Sequence, residues 1–489
     1  MSIKIPRCMS TQHPDNVKMP FFVDSQLFDT EDEIKEAYYA FAYLGCEEQM
    51  WDSEGKEADT FVVKKLLSKY ESYFQKKVLG EDVFLTIRVP NPRIEKNEGK
   101  VLLETLESIP KHYDVAQVFY GKNIAPIFEV ILPMTTSAEE IISVDEYYKK
   151  FVVGKEQKCI GNTCIKEWIG EFNPKEINVI PLLEDEKSIM NIDEIVKPYL
   201  QKDGKKEYQR IFLAYSDPAE NYGFISAALM NKIALEKIDK LSEKMSIDLY
   251  PIIGFGSVPF RGNFNPKRVK DCLQEFQSVQ TYTVQSSFKY DHERDDVTKA
   301  IDKIRATRKG KAKQIDDKKA KELIAKYSDE YQRQVEHIAD LINGLNKFVP
   351  ARRKRALHIG LFGYSRKTRG IKLPRAINFC AALYSAGIPP EILGLNSLHS
   401  KDYDFLYDCF PKFETDLKDA LPYFNENSEK FLPKGLFNTV KEKIKELDIG
   451  INEKHKQITD EILENYSKNR NETLTEDITR AAVLRKFLG

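Results

Sequence analysis

The sequence predicts an α/β fold, a parallel (β/α)8 barrel, on three observations. Short apolar, β-branched runs recur along the chain, and helical patterns separate most of them. The runs are apolar throughout rather than alternating, which is typical of strands that are covered on both faces. Each run also carries or leads to a polar or ionisable residue, which is how a parallel barrel presents chemistry at one rim. The length of 489 residues accommodates such a barrel with insertions.

The strand candidates are these runs, taken in chain order. They are FLTIR ending at Arg88, APIFEVILP carrying Glu129, INVIPLLE ending at Glu184, RIFLAYSD ending at Asp217, DLYPIIGFG leading to Arg261, QTYTVQ ending at Gln285 and LHIGLFGYSR ending at Arg366. We predict a single domain over residues 1–489, which has three parts. They are an N-terminal helical elaboration over 1–80, barrel strands over roughly 84–365 and a C-terminal helical region over 374–489.

Helical patterns precede and follow the strand candidates. TEDEIKEAYYAFAYL is amphipathic, with Thr30 and Glu33 in a capping-box pattern, and a second helix is predicted from about Asp59. Between these two helices we interpret CEEQMWDSEGKEAD as an acidic turn. Residues 292–350 are predicted to be largely helical and charged.

The charge balance argues against some classes of protein. The chain has 75 Lys and Arg against 76 Asp and Glu, so bulk attraction to nucleic acid or anionic lipid is not expected. A basic excess within 301–326 suits a nucleic-acid tether or a solvated helical face, but it lacks aromatic residues for base stacking. No stretch has the roughly 18 apolar residues of a membrane span, and the N-terminus has no apolar signal region. We therefore expect a cytoplasmic protein with neither nucleic acid nor membrane as its partner.

Cysteine spacing indicates free thiols in a reducing compartment. Seven Cys occur without the tight paired spacing of a disulfide framework. Cys159 and Cys164 are the nearest pair, and neither a second pair nor a His follows at zinc spacing. We predict a structural role for both.

Glu184 and Asp217 are candidate metal ligands, since each follows an apolar run and would lie at the C-terminal rim of its strand. Carboxylates with few nearby His or Cys suit Mg²⁺ or Mn²⁺, which keep water ligands and accept substrate oxygens. A structural role is also open. Glu184 or Asp185 could cap the following helix, and Asp217 could initiate a turn.

Two loops could bind anionic groups. RKTRGIKLPR, residues 366–375, has five basic residues and no acid, and Pro374 is well placed to start a helix with Arg375 in its first turn. Arg geometry matches a phosphate, although a basic surface loop is the alternative. GFGSVPFRGNF, residues 254–264, can bring backbone close to a ligand and present Arg261. It lacks the third glycine of a dinucleotide-binding motif.

His13 is the candidate proton carrier. It lies in the polar turn STQHPDN, before the first predicted strand, and an ordinary imidazole exchanges protons near neutral pH. An ordinary turn histidine is the alternative.

Together, STQHPDN, LTIRVPNP, VIPLLE, AYSDPAEN, FGSVPFRG and GYSRKTRGIKLPRAI closely resemble the archaeal-type phosphoenolpyruvate carboxylases, in order along the whole chain. The resemblance implies an elaborated, helix-rich TIM barrel that converts phosphoenolpyruvate and bicarbonate into oxaloacetate and phosphate. Carboxyphosphate and a metal-bound enolate are the implied intermediates. It also implies Mg²⁺ or Mn²⁺ as the cofactor and a homotetramer.

The resemblance assigns roles at matching positions. It implies that Glu184 and Asp217 are metal ligands and that His13 and Arg261 handle bicarbonate and carboxyphosphate. The residues that resemble those binding phosphoenolpyruvate are Arg88, Arg366 and Arg375, chiefly at the phosphate, with Gln285 nearby.

The chain departs from the longer bacterial and plant form of this enzyme at three positions. That form has a His and a second Arg in the glycine-rich loop, where this chain has Ile253 and Phe255, and a Lys where it has Glu220. Which residue replaces the second arginine is left open.

Two other functions fit the same residues. A metal-dependent lyase or aldolase would use the same rim and stabilise an enolate without releasing phosphate. A nucleic-acid-binding protein using 301–326 and 352–355 is the more remote hypothesis, because the net charge is near zero.

Overall fold

Eight parallel strands close into a barrel in the computed structural model, which describes residues 4–25, 27–53, 58–96, 99–202, 207–354 and 370–489 and the backbone of 366–368. The strands in chain order are β1 (Cys8–Ser10), β2 (Glu48–Asp52), β3 (Phe84–Arg88), β4 (Glu129–Leu132), β5 (Cys159–Ile160), β6 (Thr163–Cys164), β7 (Asn178–Leu183), β8 (Tyr208–Ala214), β9 (Asp248–Gly254), β10 (Thr281–Val284), β11 (Arg366–Thr368) and β12 (Ile371–Leu373). The barrel order is β1–β10–β9–β8–β7–β4–β3–β2, and β1 pairs with β2 to close it. The predicted fold class is confirmed.

Helices surround the barrel and fill the C-terminal region. They are α1 (Thr30–Tyr39), α2 (Val62–Lys69), α3 (Glu71–Phe74), α4 (Gly99–Tyr120), α5 (Ala138–Tyr147), α6 (Ile165–Ile169), α7 (Glu186–Met190), α8 (Ile192–Lys202), α9 (Ser216–Tyr222), α10 (Phe224–Met245), α11 (Val269–Glu275), α12 (Ser286–Tyr290), α13 (Arg294–Ala306), α14 (Asp317–Asn346), α15 (Ala376–Ser385), α16 (Ser400–Cys409), α17 (Lys412–Ala420), α18 (Lys434–Glu446), α19 (Glu453–Ser467) and α20 (Leu474–Arg485). Among the described residues, no helix is long and apolar enough to cross a membrane.

The first two barrel strands lie within residues 1–80, which we had predicted to be a helical elaboration. β2 is EQMWD, inside the segment that we interpreted as an acidic turn, and that interpretation is wrong. All five of its residues are buried, and polar ones such as Glu48 find partners inside the barrel. The strand therefore lacks the apolar run by which β3, β4 and β7–β10 were recognised.

The predicted strand in LHIGLFGYSR lies outside the described residues except for Arg366. The backbone of Arg366 begins β11, which pairs with β12 in an antiparallel hairpin. The eight described barrel strands form a closed order among themselves. The other six predicted strands correspond to β3, β4 and β7–β10 and are confirmed.

The start of α1 is capped one residue earlier than predicted. The Asp29 side chain accepts a hydrogen bond from the backbone N–H of Asp32, and Asp32 reciprocates, so these two residues form the capping box in place of Thr30 and Glu33. The short carboxylate of Asp29 thus satisfies one of the unpaired N–H groups of the first turn.

Polar and apolar layers alternate inside the barrel. Buried Arg210 donates to Glu48 at 2.6 and 2.7 Å and to Glu129 at 2.7 Å. Glu129 is the first residue of β4, so it lies at the N-terminal end of the barrel, and our prediction that its run presents it at the rim is wrong. An apolar layer in the barrel interior consists of Met9, Met50, Ile131, Ile180, Leu182, Phe212, Ala214 and Ile252.

Cys159 and Cys164 form a disulfide across the β5–β6 hairpin, so the prediction of free thiols is wrong for this pair. The two residues are directly opposite in the hairpin register, with Gly161 at φ +60° in the turn. A short turn that was not recognised from the sequence thus brings them together. The free cysteines among the described residues are Cys8, Cys46, Cys272, Cys380 and Cys409, all buried.

Candidate active site

The C-terminal ends of the barrel strands bring most of the predicted site residues to one rim. Arg88 is the last residue of β3, Glu184 follows β7, Asp217 lies just beyond β8 and Gln285 follows β10. Arg261 is on the loop after β9. This is the face on which barrels of this kind carry their active sites.

His13 belongs to the same rim, because it lies three residues after β1 rather than before the first strand. The backbone N–H of Thr11 donates to Val284 O at 3.0 Å and so continues the β1–β10 pairing. The His13 carbonyl accepts hydrogen bonds from the N–H groups of Asp15 and Ser286 at 3.1 and 3.3 Å, and His13 Nδ1 is 2.9 Å from Thr11 Oγ1. The backbone and ring of His13 are thus fixed by the ends of two neighbouring strands.

The electrostatic surroundings of His13 keep it neutral. Burial lowers its pKa well below the ordinary value of 6.5, and the positive charges of Arg88, Arg261 and Arg375 lower it further, against the opposing effect of Asp52. Arginines from three separate segments therefore lie near enough to act on one imidazole. A neutral imidazole in this position can accept a proton.

Arg88 is held by an acidic residue that the sequence analysis missed. Its Nε donates to Asp52 Oδ1 at 2.7 Å, and both side chains are buried. The Asp52 N–H donates in turn to Gln12 Oε1 at 2.9 Å. Asp52 ends β2 just as Arg88 ends β3, so recognising QMWD as a strand would have revealed it. Nothing in the sequence points to Gln12 except its position beside His13.

Arg261 is almost fully buried and contacts four partners. Its Nη2 donates to Gln285 Oε1 at 2.6 Å and its Nε to Ser216 Oγ at 3.0 Å. Its Nη1 donates to the Gly489 carbonyl at 2.7 Å and lies 3.4 Å from Asp15 Oδ2. The guanidinium therefore joins the ends of β8 and β10 and the segment after β1.

The loop that carries Arg261 folds back on itself. The Gly256 N–H donates to Arg261 O at 2.7 Å, and the Phe264 N–H donates to Gly256 O at 2.9 Å. Gly262 has φ +113°, which favours glycine, and a side chain there would meet the Phe255 ring.

Phe255 is the loop position that the resemblance aligns with the second arginine of the long form. Its ring lies 5.1 Å from the rings of Tyr215 and Phe276 and 5.7 Å from that of Phe264, measured between centroids. This position therefore anchors the loop by apolar packing rather than contributing a charge.

Glu184 and Asp217 follow neighbouring strands. Leu183 of β7 is opposite Leu213 of β8, so the two carboxylates lie beyond adjacent strand ends. Asp185 caps α7 by accepting a hydrogen bond from Ser188 N at 3.0 Å, so Glu184 is not the cap of that helix. Asp217 lies in the first turn of α9.

The donor set at these two positions suits a hard divalent ion. Within the part of the chain that the structure describes, no cluster of three or more His, Cys, Asp or Glu could hold a metal. Two carboxylates alone fit Mg²⁺, which keeps several waters and takes its remaining oxygens from a substrate phosphate.

The basic segment 366–375 is a hairpin followed by a helix. β11 and β12 pair with Arg366 opposite Leu373, and Gly370 has φ +88° in the turn. Arg375 is the N-cap of α15, which begins at Ala376, two residues later than the predicted start at Pro374. The side chain of Arg366 lies outside the described residues, so its position relative to the site stays a prediction.

A sequence model of the phosphoenolpyruvate carboxylase family matches residues 5–489. Three relatives named phosphoenolpyruvate carboxylase align along their full lengths. The protein of Methanothermobacter thermautotrophicus is 52% identical over 490 residues and that of Halobacterium salinarum is 43% identical over 494, each covering 100% of both chains. The protein of Pyrococcus abyssi is 50% identical over 485 residues, covering 99% of this chain and 100% of its own. From these matches, the chain belongs to the phosphoenolpyruvate carboxylase family.

Proposed function

We propose that this enzyme carboxylates phosphoenolpyruvate with bicarbonate, giving oxaloacetate and inorganic phosphate in an irreversible, anaplerotic reaction. The supporting observation is the convergence of a neutral His13 with Arg88, Arg261 and Arg375 at one barrel rim. A trianionic substrate needs such a concentration of positive charge, and a proton acceptor is needed beside it. Family membership favours this reaction over the lyase or aldolase and nucleic-acid hypotheses.

The phosphate and carboxylate of phosphoenolpyruvate would be held by Arg88, Arg366 and Arg375, with Gln285 beside them. Arg88 has its Nε on Asp52, which orients the guanidinium for a bidentate contact. Arg375 stands at the start of α15, where the helix dipole also favours an anion.

Glu184 and Asp217 would hold Mg²⁺ or Mn²⁺. When bound there, the ion would supply Lewis-acid stabilisation to the phosphate and to the enolate oxygen. The two carboxylates come from adjacent strands, so this side of the rim is distinct from the one that carries His13.

In the first step a bicarbonate oxygen attacks phosphorus, and the bond from phosphorus to the enol oxygen breaks. The products are carboxyphosphate and the enolate of pyruvate. The arginines hold both anions in place after this bond breaks, so that neither leaves before the second step.

In the second step neutral His13 accepts the carboxyphosphate proton, and carboxyphosphate breaks down to CO2 and phosphate. Burial, and after it the positive charge of the arginines, lowers the pKa of His13 in the free enzyme. The bound anions would offset the second of these effects, so the imidazole becomes a better base when substrate is present. The enolate carbon then attacks CO2 and forms the new carbon–carbon bond.

Arg261 would hold CO2 and the departing anions during this attack. Its burial leaves little access for water, which would otherwise protonate the enolate to pyruvate. The direct bond from Arg261 to Gln285 gives that glutamine an orienting role.

A steady-state assay with and without bicarbonate tests the proposal. With phosphoenolpyruvate and Mg²⁺, we expect equal amounts of phosphate and oxaloacetate, both dependent on bicarbonate. A lyase or aldolase would release no phosphate, and absence of both products would refute the carboxylase. We also propose a single-domain, cytoplasmic homotetramer, which light scattering of the purified protein would check for its subunit number.

A further inference from the structure

Glu391 lies behind the turn that carries Arg261, outside the set of residues assigned to the reaction. It is fully buried in the 3-10 turn Pro390–Ile392, which follows α15. Its Oε1 accepts hydrogen bonds from the backbone N–H of Phe260 at 2.6 Å and from the Tyr384 hydroxyl at 2.8 Å. Its Oε2 has no hydrogen-bond partner in the described structure.

Phe260 immediately precedes Arg261 in the 3-10 turn Pro259–Arg261. Its ring packs between those of Tyr331 and Phe379, with centroids 6.2 and 5.8 Å away. Among the described residues, the Phe260 N–H donates to the Glu391 carboxyl alone, which matters because a buried N–H needs an acceptor. The position of residue 260 is therefore set by one hydrogen bond and one ring contact from the C-terminal region and by a second ring contact from α14.

The Glu391 contact requires an acceptor but no charge. Burial raises the pKa of Glu391 to about 8, with hydrogen bonds from Tyr384 and Phe260 opposing the shift and nearby Asp416 adding to it. A carboxyl with a pKa of about 8 is mostly neutral at pH 7, and Oε1 can accept both hydrogen bonds without a charge.

We propose that Glu391 is a positioning residue for Arg261. By accepting the Phe260 N–H, Glu391 fixes the turn and so holds the Arg261 guanidinium in the orientation that the carboxylation step requires. The proposal rests on the proposed function, in which Arg261 holds CO2 until the enolate attacks. Four contacts of the guanidinium start from a backbone that Glu391 holds in place. A shifted turn would let CO2 escape, and the enolate would take up a proton and leave as pyruvate.

The test compares Glu391→Gln with Glu391→Met in the full-length enzyme. Gln keeps a neutral acceptor for Phe260 and Tyr384, whereas Met keeps the size of the side chain but accepts neither bond. We expect Glu391→Gln to match the wild type and Glu391→Met to lower the oxaloacetate formed per phosphate released by about fivefold or more, with a raised KM for bicarbonate. The KM for phosphoenolpyruvate should change little.

Asp82→Ala serves as a matched control. The Asp82 side chain accepts a hydrogen bond from the Val78 backbone N–H before β3, at the opposite end of the barrel. If Glu391 had a purely structural role, Glu391→Met and Asp82→Ala would both lower the amount of folded enzyme. The oxaloacetate formed per phosphate released would then stay at the wild-type value in both. A wild-type ratio of oxaloacetate to phosphate in Glu391→Met would overturn the proposal. So would a ratio in Glu391→Gln that is lowered as much as in Glu391→Met.

Two further results are decisive. If Glu391→Met does not fold, Glu391→Asp withdraws the acceptor from Phe260 by one methylene and carries the same expectation for the product ratio. If the wild type itself forms no bicarbonate-dependent products, the proposed function fails and the role of Glu391 falls with it. A normal wild type with unaltered variants refutes only the positioning role.

Discussion

Gly256→Ala should displace Arg261 without removing any functional group. An added Cβ would lie 2.8 Å from Arg261 Cζ and 2.9 Å from its Nη1, whereas ordinary contact begins at 3.4 Å. The guanidinium must therefore move by about 0.6 Å, on a side chain that is too tightly held to swing aside. Its bonds to Gln285 at 2.6 Å and to the Gly489 carbonyl at 2.7 Å would lengthen or break.

The kinetic cost follows from that displacement. Misplacing a catalytic group by about 1 Å costs up to about 10²-fold in rate, so a shift of this size should slow oxaloacetate formation about 10- to 100-fold. This corresponds to about 1.4–2.7 kcal/mol of lost transition-state stabilisation. Binding of phosphoenolpyruvate, which we assign to other arginines, should be nearly unchanged.

The assay couples oxaloacetate to its reduction and measures phosphate separately, with Gly435→Ala as the control. Gly435 lies in α18 with nothing within 4 Å of an added Cβ, so the same substitution there should leave both rates unaltered. Wild-type oxaloacetate formation by Gly256→Ala would show that the position of Arg261 does not limit the reaction.

Three other substitutions test other parts of the molecule. His13→Asn should keep phosphoenolpyruvate binding but nearly abolish oxaloacetate, and the His13 NMR signals of the free wild type should show no titration near pH 6.5, because its pKa is lowered; titration there would contradict a neutral imidazole. Asp217→Ala should lose about 10²-fold or more of turnover and weaken Mg²⁺ binding measured calorimetrically with substrate present, and unaltered values would assign Asp217 to the turn alone. Arg210→Met should lower the free energy of unfolding by about 3–5 kcal/mol at neutral pH, since it leaves buried Glu129 without its cation. Burial already raises the pKa of Glu129, so this loss should grow as pH increases; equal losses in urea unfolding at pH 6 and pH 8 would contradict it.

The sequence predicted those strands that contain an uninterrupted apolar run. Val179–Leu183 in β7 and Ile211–Ala214 in β8 are examples, and all of these residues are buried. β2 was missed because its Glu48 is satisfied by Arg210, a residue distant in sequence, and pairing at such a distance leaves no local pattern. The hydrophobic pattern of a sequence identifies a strand that is buried among apolar residues. It does not identify a strand whose charged residues are buried in ion pairs.

The candidate site was predictable to a similar extent. Residues that end or follow an apolar strand, such as Arg88 and Glu184, could be placed at the rim from the sequence. Asp52 could not, because its strand was missed. Glu391 gave no signal, because its effect on Arg261 passes through the backbone N–H of another residue.

The pairing of β1 with β10 has a consequence for how the chain folds during synthesis. The Asp15 carboxylate accepts a hydrogen bond from the Ser287 N–H, 272 residues later in the sequence. At about 5–20 residues per second, ribosomes need on the order of 15–50 s to make that interval, and one edge of β1 has no partner meanwhile. An open edge invites pairing with other chains, and a short strand limits that risk. β1 has only three residues, so the nascent chain exposes few unpaired backbone groups to other chains before β10 is made.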